Sequence, residues 1–368
     1  MSTLKILSIC DVLFPQTTGG AGRVARELGK ALSRQGVEIE FLTRQPAKPV
    51  KATDYIPTTY YSPPGPQLPL VLRRLFRQRV GIFKPDIIHV HQPFPAYFAI
   101  PRSFDRPVVY NFHSAWPEEL KLKASPWPSW MRAPAVPLFR HIEKTVVEQA
   151  SQIVVLSETS RHEIKSFYGR DAQLIPGGVN SREFHLFDKP KPNGVVNLIS
   201  VRNLVPRMGL SELIRAMLLV PEHVRLDIGG DGPLRGELQE LIHNLKLENR
   251  VALPGRIPDS ELPQFYSSAD WFVLPTVALE GFGLVILESL ACGTPVLGTR
   301  VGAIPELLNR FDPEWIIPEP SAQAIAVCIR QALQKKGPDR ADLHEKVARD
   351  FDWDVIASRY RELFQTLR

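Results

Sequence analysis

Short runs rich in Val, Ile and Leu alternate with longer amphipathic runs, and the alternation occurs twice along the chain. In the first half Lys5–Cys10, Glu38–Thr43, Ile87–His91, Val108–His113, Ile153–Leu156 and Gln173–Ile175 read as strands. Between the first two, residues Ala21–Gln35 place Val24, Leu28, Ala31 and Leu32 at helical spacing, which predicts a helix with one buried stripe. In the second half Val195–Val201, Arg225–Gly229, Val251–Leu253, Trp271–Leu274 and Pro295–Gly298 read as strands. Helices fit Leu210–Leu219, Leu234–Leu245 and Ser260–Ser268 between them. Strand–helix alternation implies parallel sheets covered on both faces, because a parallel crossover returns over the sheet.

The periodic pattern breaks at Lys189-Pro-Lys-Pro-Asn193, so the join is expected there. The expected division is 1–188, 189–350 and a terminal helix at 351–368 that returns to the first domain. Residues Trp116–Pro137, with five prolines and three tryptophans, read as a loop or broken helix. Asp350-Phe-Asp-Trp-Asp354 reads as the capped start of the last helix, its acids suiting the positive end of the helix dipole.

The 368 residues suffice for two ordinary domains, and 44% hydrophobic with 23% charged residues is a globular composition. Cys10, Cys292 and Cys328 are scattered and odd in number, which suggests a reducing cytoplasm. The first apolar run is interrupted by Asp11 and lacks a small-residue cleavage site, so it reads as a strand rather than a signal peptide. The net charge is +6, and the basic excess lies in residues 1–180, which hold 23 Lys and Arg against 14 Asp and Glu. A solvated surface, an anionic acceptor or an anionic membrane would each account for it. Leu72-Arg-Arg-Leu-Phe-Arg-Gln-Arg-Val80 mixes apolar and basic residues as interfacial helices do. No nucleic-acid-binding module accompanies the charge, so a nucleic-acid partner is not expected.

The candidate chemistry is concentrated in Pro275–Pro295. Glu280 precedes a helix expected to start near Phe282 or Gly283, and Glu288 is expected about two turns inside it. A helix start presents unpaired N–H groups that favour an anion such as a diphosphate. Gly281 and Gly283 allow close backbone approach, Glu280 could accept from sugar hydroxyls, and Glu288 could hold a ribose diol. Gln16-Thr-Thr-Gly-Gly20, ahead of the first helix, is a second place where a glycine-rich turn could meet phosphate.

The block resembles the E-x7-E signature of the retaining family 4 glycosyltransferases. Leu226–Arg235, Val251–Pro258, Ser268–Pro275 and Leu174–Asn180 are similar to further segments of that family. The resemblance implies an α/β GT-B fold, two Rossmann-like parallel-sheet domains facing across a cleft. It implies transfer of a sugar, with retention, from a UDP- or GDP-linked donor to a saccharide or lipid-linked hydroxyl in polysaccharide or glycolipid synthesis. It implies no metal and no cofactor beyond the donor, and a cytoplasmic protein, peripheral at the inner membrane face.

Carried over, Glu280 and His113 would serve the transferred sugar and Glu288 the ribose. The backbone at Phe282, Gly283 and Leu284 would meet sugar and diphosphate, and Arg256 and Ile257 would border the base. Gly19 and Gly20 would lie near the phosphates. The family's Arg and Lys that neutralise the leaving diphosphate fall here on Asn203 and Met208. Arg202 and Arg207, each one residue earlier, are therefore the expected substitutes. The same departure leaves open a non-catalytic relative that binds a nucleotide sugar or partners an active transferase.

Three patterns are set aside. Gly20-Ala-Gly-Arg-Val-Ala25 fits a dinucleotide fingerprint but does not follow its strand directly. His89 and His91 mimic a metal pair without a third ligand. The D-x-D patterns in 350–354 read as caps, not metal ligands.

Overall fold

The computed structural model describes residues 3–13, 19–46, 56–62, 65–122, 135–188 and 194–368. Gln16, Thr17 and Thr18 of the glycine-rich turn, residues 123–134 and the Lys189–Asn193 break lie outside the described residues. The chain forms two compact units, one of Met1–Gly178 with Trp353–Arg368, the other of Val179–Asp352. Residues 179–188 associate with the second unit for identifiable reasons. Val179 N–H donates to the Phe351 carbonyl at 2.9 Å, Phe187 N–H donates to Ser267 Oγ at 3.3 Å, and Phe184 packs beside Tyr266.

Unit 1 carries a seven-stranded parallel sheet: β1 Lys5–Ile9, β2 Glu38–Arg44, β3 Thr58–Tyr61, β4 Ile87–Val90, β5 Val108–Phe112, β6 Gln152–Val155 and β7 Gln173–Leu174. The order is β3-β2-β1-β4-β5-β6-β7. Every residue of β4 and β5 is buried, as expected for strands covered on both faces. The helix Gly20–Arg34 buries Val24, Leu28, Ala31 and Leu32, the predicted stripe. The terminal helix Trp353–Leu367 packs on it, and Arg34 pairs with Asp354 at 2.6 Å. The predicted cap at 350–354 is differently built. Asp350 and Phe351 end a preceding helix, Arg340–Phe351, and Asp352 accepts from the N–H and hydroxyl of Ser181.

Unit 2 carries six parallel strands: β8 Val196–Val201, β9 Val224–Gly229, β10 Val251–Gly255, β11 Trp271–Leu274, β12 Val296–Thr299 and β13 Ile316–Ile317. Their order is β10-β9-β8-β11-β12-β13. In both sheets the first strand lies inside and the order reverses beside it, at β1/β4 and at β8/β11. Such switch points open a crevice at the carboxyl edge, because successive connections leave in opposite directions.

Candidate active site

In unit 2 the sequence-predicted residues gather at the carboxyl edge. Arg202 and Asn203 leave β8, Gly230–Gly232 leave β9, Arg256 and Ile257 leave β10, and Pro275–Gly283 leave β11. The loops interlock through backbone. Arg202 N–H donates to Gly229 O at 2.9 Å, Leu204 N–H to Asp231 O at 2.9 Å and Gly230 N–H to Gly255 O at 2.7 Å. Gly230 has to be glycine: its φ is +140° and a Cβ would stand 1.8 Å from the Arg202 carbonyl oxygen.

At the switch point Arg202 and Glu280 meet. Arg202 Nη2 donates to Glu280 Oε2 at 2.7 Å and to Thr276 Oγ1 at 3.1 Å. The two side chains are only 7% and 15% exposed. Met208 Sδ lies 2.7 Å from the same nitrogen. Thr276 is itself fixed, since its carbonyl accepts from Thr299 Oγ1 at 2.6 Å. Arg202 therefore reaches the acidic loop, but its charge is directed at Glu280. Arg207 Nη1 donates to the Leu279 carbonyl at 2.6 Å. Asn203 accepts through its backbone carbonyl from Val205 N–H at 2.9 Å.

The following helix runs Leu284–Ala291 with Gly283 as its N-cap, at φ +93° and with no side-chain cap. Its apolar sequence makes a helix buried nearly all round. The start is one to two residues later than predicted, so Glu288 lies about one turn inside rather than two. Glu288 is buried and accepts from the Tyr266 hydroxyl at 2.9 Å. Phe282 is buried and Leu284 half-buried. Ile257 packs on Gly229, where a Cβ would stand 2.8 Å from Ile257 Cγ1, and Arg256 lies 4.0 Å from Asp259.

In unit 1, Gly19 caps the Gly20–Arg34 helix in extended conformation, and Gly20 begins it. His113 follows β5; its Nε2 is 3.3 Å from Asn111 Nδ2 and its ring stacks on His91 at 5.8 Å. Desolvation lowers its pKa to about 4, so the ring is neutral near pH 7. His89 and His91, buried with ring centroids 4.2 Å apart, are also held neutral by burial. Among the described residues no group of three or more His, Cys, Asp and Glu side chains could hold a metal.

The sequence reading missed Thr276, Leu279 and the Gly302-Ala303 support of Glu280. Ala303 N–H donates to Glu280 O at 2.9 Å, and a Cβ on Gly302 would stand 2.2 Å from that oxygen. A signal existed for two of these: Thr276 and Gly302 each lie just beyond a strand's carboxyl end.

The family model for glycosyl transferases group 1 matches residues 181–350, and that for glycosyltransferase family 4 matches residues 18–183. The chain belongs to the family 4 glycosyltransferases. This glycosyltransferase is 25% identical to the N-acetyl-alpha-D-glucosaminyl L-malate synthase of Bacillus anthracis, over 95% of the chain and 94% of that protein. It is 24% identical to a phosphatidyl-myo-inositol mannosyltransferase of Mycolicibacterium smegmatis, over 99% and 94%. Anabaena HepE, solved with UDP and glucose, superposes with a TM-score of 0.77 at 20% identity, over 99% of this chain and 100% of that one. The fold of this glycosyltransferase is GT-B. Among the described residues no helix is long and apolar enough to cross a membrane.

Proposed function

We propose that this glycosyltransferase moves a sugar from a nucleoside diphosphate donor to an acceptor hydroxyl with retention at the anomeric carbon. The observation that carries the reading is the buried Arg202–Glu280 pair at the β8/β11 switch point. A carboxylate held there by Arg202, on a backbone fixed by Ala303 N–H, is ready to accept from sugar hydroxyls. The N–H groups of the Gly283-capped helix would take the diphosphate. Glu288 would take the ribose and Arg256 with Ile257 the base. Anabaena HepE binds UDP, which supports a donor of this class.

In the reaction the bond from the anomeric carbon to the phosphate oxygen breaks, and the acceptor oxygen bonds to that carbon on the same face. The acceptor proton passes to the leaving phosphate oxygen. The sugar gains oxocarbenium character, and fixed dipoles aimed at the leaving oxygen supply the stabilisation. No metal enters this scheme, so a chelator should leave turnover unchanged. The phosphatidyl-myo-inositol relative and the malate-linked relative support acceptors that are lipid-linked or carry small hydroxylated groups; a polysaccharide or glycolipid product fits this reading.

The test is a panel of UDP- and GDP-sugars, scored by thermal stabilisation and then by transfer with NMR of the product anomer. One donor should raise the midpoint and give a retained linkage, and Glu280→Gln should abolish turnover. Stabilisation without donor hydrolysis or transfer would favour the non-catalytic alternative. No binding by any donor would remove the proposal.

A second reading concerns the acceptor's setting. The helix Leu68–Phe83 exposes Leu70, Ile82, Arg73, Arg74 and Arg77, and no acid occurs between Asp54 and Asp86. Arg79 is occupied by Glu40 at 2.5 Å. We propose that this face meets an anionic lipid surface. Flotation with phosphatidylglycerol vesicles should be lost in Arg73→Glu/Arg77→Glu and in neutral vesicles. Equal flotation of variant and wild type would remove it.

A further inference from the structure

We propose that Arg207 is a positioning residue for Glu280, acting through the backbone of Leu279, and not a cation that neutralises the donor's phosphates. The inference rests on the donor-binding reading above. Among the described residues three non-glycine residues have positive φ: Lys84, Lys246 and Leu279. Lys84 caps a helix in the left-handed conformation, and Lys246 follows the last turn of another helix. Both are places where that conformation is ordinary. Leu279, at φ +53°, stands instead in the loop immediately before Glu280. A leucine there is strained, because its Cβ crowds the following carbonyl, and it persists only if its surroundings hold it.

The holding group is Arg207. Its Nη1 donates to Leu279 O at 2.6 Å, and its own carbonyl accepts from Val277 N–H at 2.8 Å. The short turn Pro206–Met208 is thereby stapled to the acidic loop at two points. Gly209 allows the approach: its φ is +68° and a Cβ would lie 1.9 Å from Pro275 O.

Leu279 O belongs to the peptide plane entering Glu280, and Glu280 O to the plane leaving it. The first is fixed by Arg207 and the second by Ala303 N–H at 2.9 Å. With both planes fixed, the direction of the Glu280 Cα–Cβ bond is fixed. Arg202 then sets the carboxylate at its far end. A carboxylate that must discriminate a sugar gains from this, because its hydrogen-bond geometry exists before the ligand arrives. The Arg207 guanidinium is meanwhile directed at a backbone carbonyl.

The experiment measures dissociation constants by calorimetry for the nucleoside diphosphate, UDP or GDP, that wild-type protein binds, and for its preferred sugar derivative. The expected result for Arg207→Gln is an unchanged nucleoside diphosphate affinity. Its preference for the sugar derivative should fall about tenfold, the size of one charge-assisted hydrogen bond. Adding Leu279→Gly should restore the preference, since glycine adopts this φ unaided. Arg207→Lys, which keeps the charge and loses the planar fork, should behave like Arg207→Gln and carries the same test if the glutamine variant does not fold. A tenfold weaker nucleoside diphosphate affinity in Arg207→Gln, full rescue by lysine, or no rescue by Leu279→Gly would each overturn the assignment. Failure of wild type to bind any nucleotide would instead remove the donor reading on which it stands.

Discussion

Arg202 Nη2 lies 2.7 Å from Glu280 Oε2 and joins two loops whose contacting residues are 78 positions apart. The pair is nearly buried, so each charge depends on the other. Removing one partner of such a pair leaves the other desolvated without compensation. Arg202→Leu should therefore destabilise the protein by about 3 kcal/mol, near the lower end for buried pairs because Glu280 keeps some solvent contact. Arg202→Met combined with Glu280→Gln should recover most of that loss, because no charge is then stranded. Urea unfolding of wild type and the two variants checks this. Equal losses in the single and double variants would show that packing, not charge, is what Arg202 provides.

Two glycines should respond in opposite directions to alanine. At Gly302, φ is +54° and a Cβ would meet the Glu280 carbonyl oxygen at 2.2 Å and its nitrogen at 3.0 Å. Gly302→Ala should cost about 2 kcal/mol or more and should also lower affinity for the sugar donor, since the Glu280 backbone has to move. Gly236 lies in the helix Arg235–Asn244, where an added Cβ would meet no neighbouring atom within 4 Å. Gly236→Ala should therefore stabilise by about 0.5–1 kcal/mol. Thermal midpoints with and without donor separate the two effects.

The strands at the carboxyl edge were legible because buried parallel strands are continuous apolar runs. Their ends marked the loops that carry Arg202, Arg256 and Glu280. The edge strand β3, Thr58–Tyr61, was not legible because Thr-Thr-Tyr-Tyr is no apolar run, and the two-residue β13 because it is too short to show a period. The start of the Leu284 helix was placed slightly early because Gly281 and Gly283 carry no side chain to mark the cap. What a local pattern cannot contain is the direction of a long side chain. Arg202 and Arg207 were both expected at a diphosphate. Arg202 turns to a carboxylate and Arg207 to a carbonyl, each on a loop more than seventy residues away. The same holds for Asp352, whose partner Ser181 lies 171 positions earlier.

The paired histidines of unit 1 predict acid sensitivity. His89 and His91 are 2% exposed, and His89 Nε2 and His91 Nδ1 find no partner among the described residues. Burial lowers the His89 pKa to about 3, with a further push from His113; burial, His89 and His113 lower that of His91. The folded value lies below the ordinary 6.5, so the folded state favours the neutral ring. Its contribution to stability is present above pH 6.5 and is lost as pH falls from there toward the folded value. Between pH 6.5 and 4.5 that is about 2–3 kcal/mol for His89. His89→Leu should flatten the loss of stability over this window. An unchanged slope would show that His89 is not its source.

Glu143 predicts the opposite slope in the same unit. Its carboxylate is fully buried and accepts from Tyr110 Oη at 3.0 Å, Tyr168 Oη at 2.6 Å and Trp116 N–H at 3.3 Å. Burial raises its pKa to about 7; the three donors oppose the rise without cancelling it, and Glu119 adds to it. The folded state therefore retains a proton that the unfolded chain gives up at an ordinary carboxylate value of 4.5. Stability from this group is fully present below pH 4.5 and is lost as pH rises through 7, by about 3 kcal/mol. Glu143→Gln keeps an acceptor oxygen and cannot titrate. Its stability relative to wild type should rise steadily from pH 5 to pH 8, whereas that of His89→Leu should rise only on acidification. A wild-type profile parallel to Glu143→Gln over this range would mean that the carboxylate stays ionised, and that its three donors outweigh its burial.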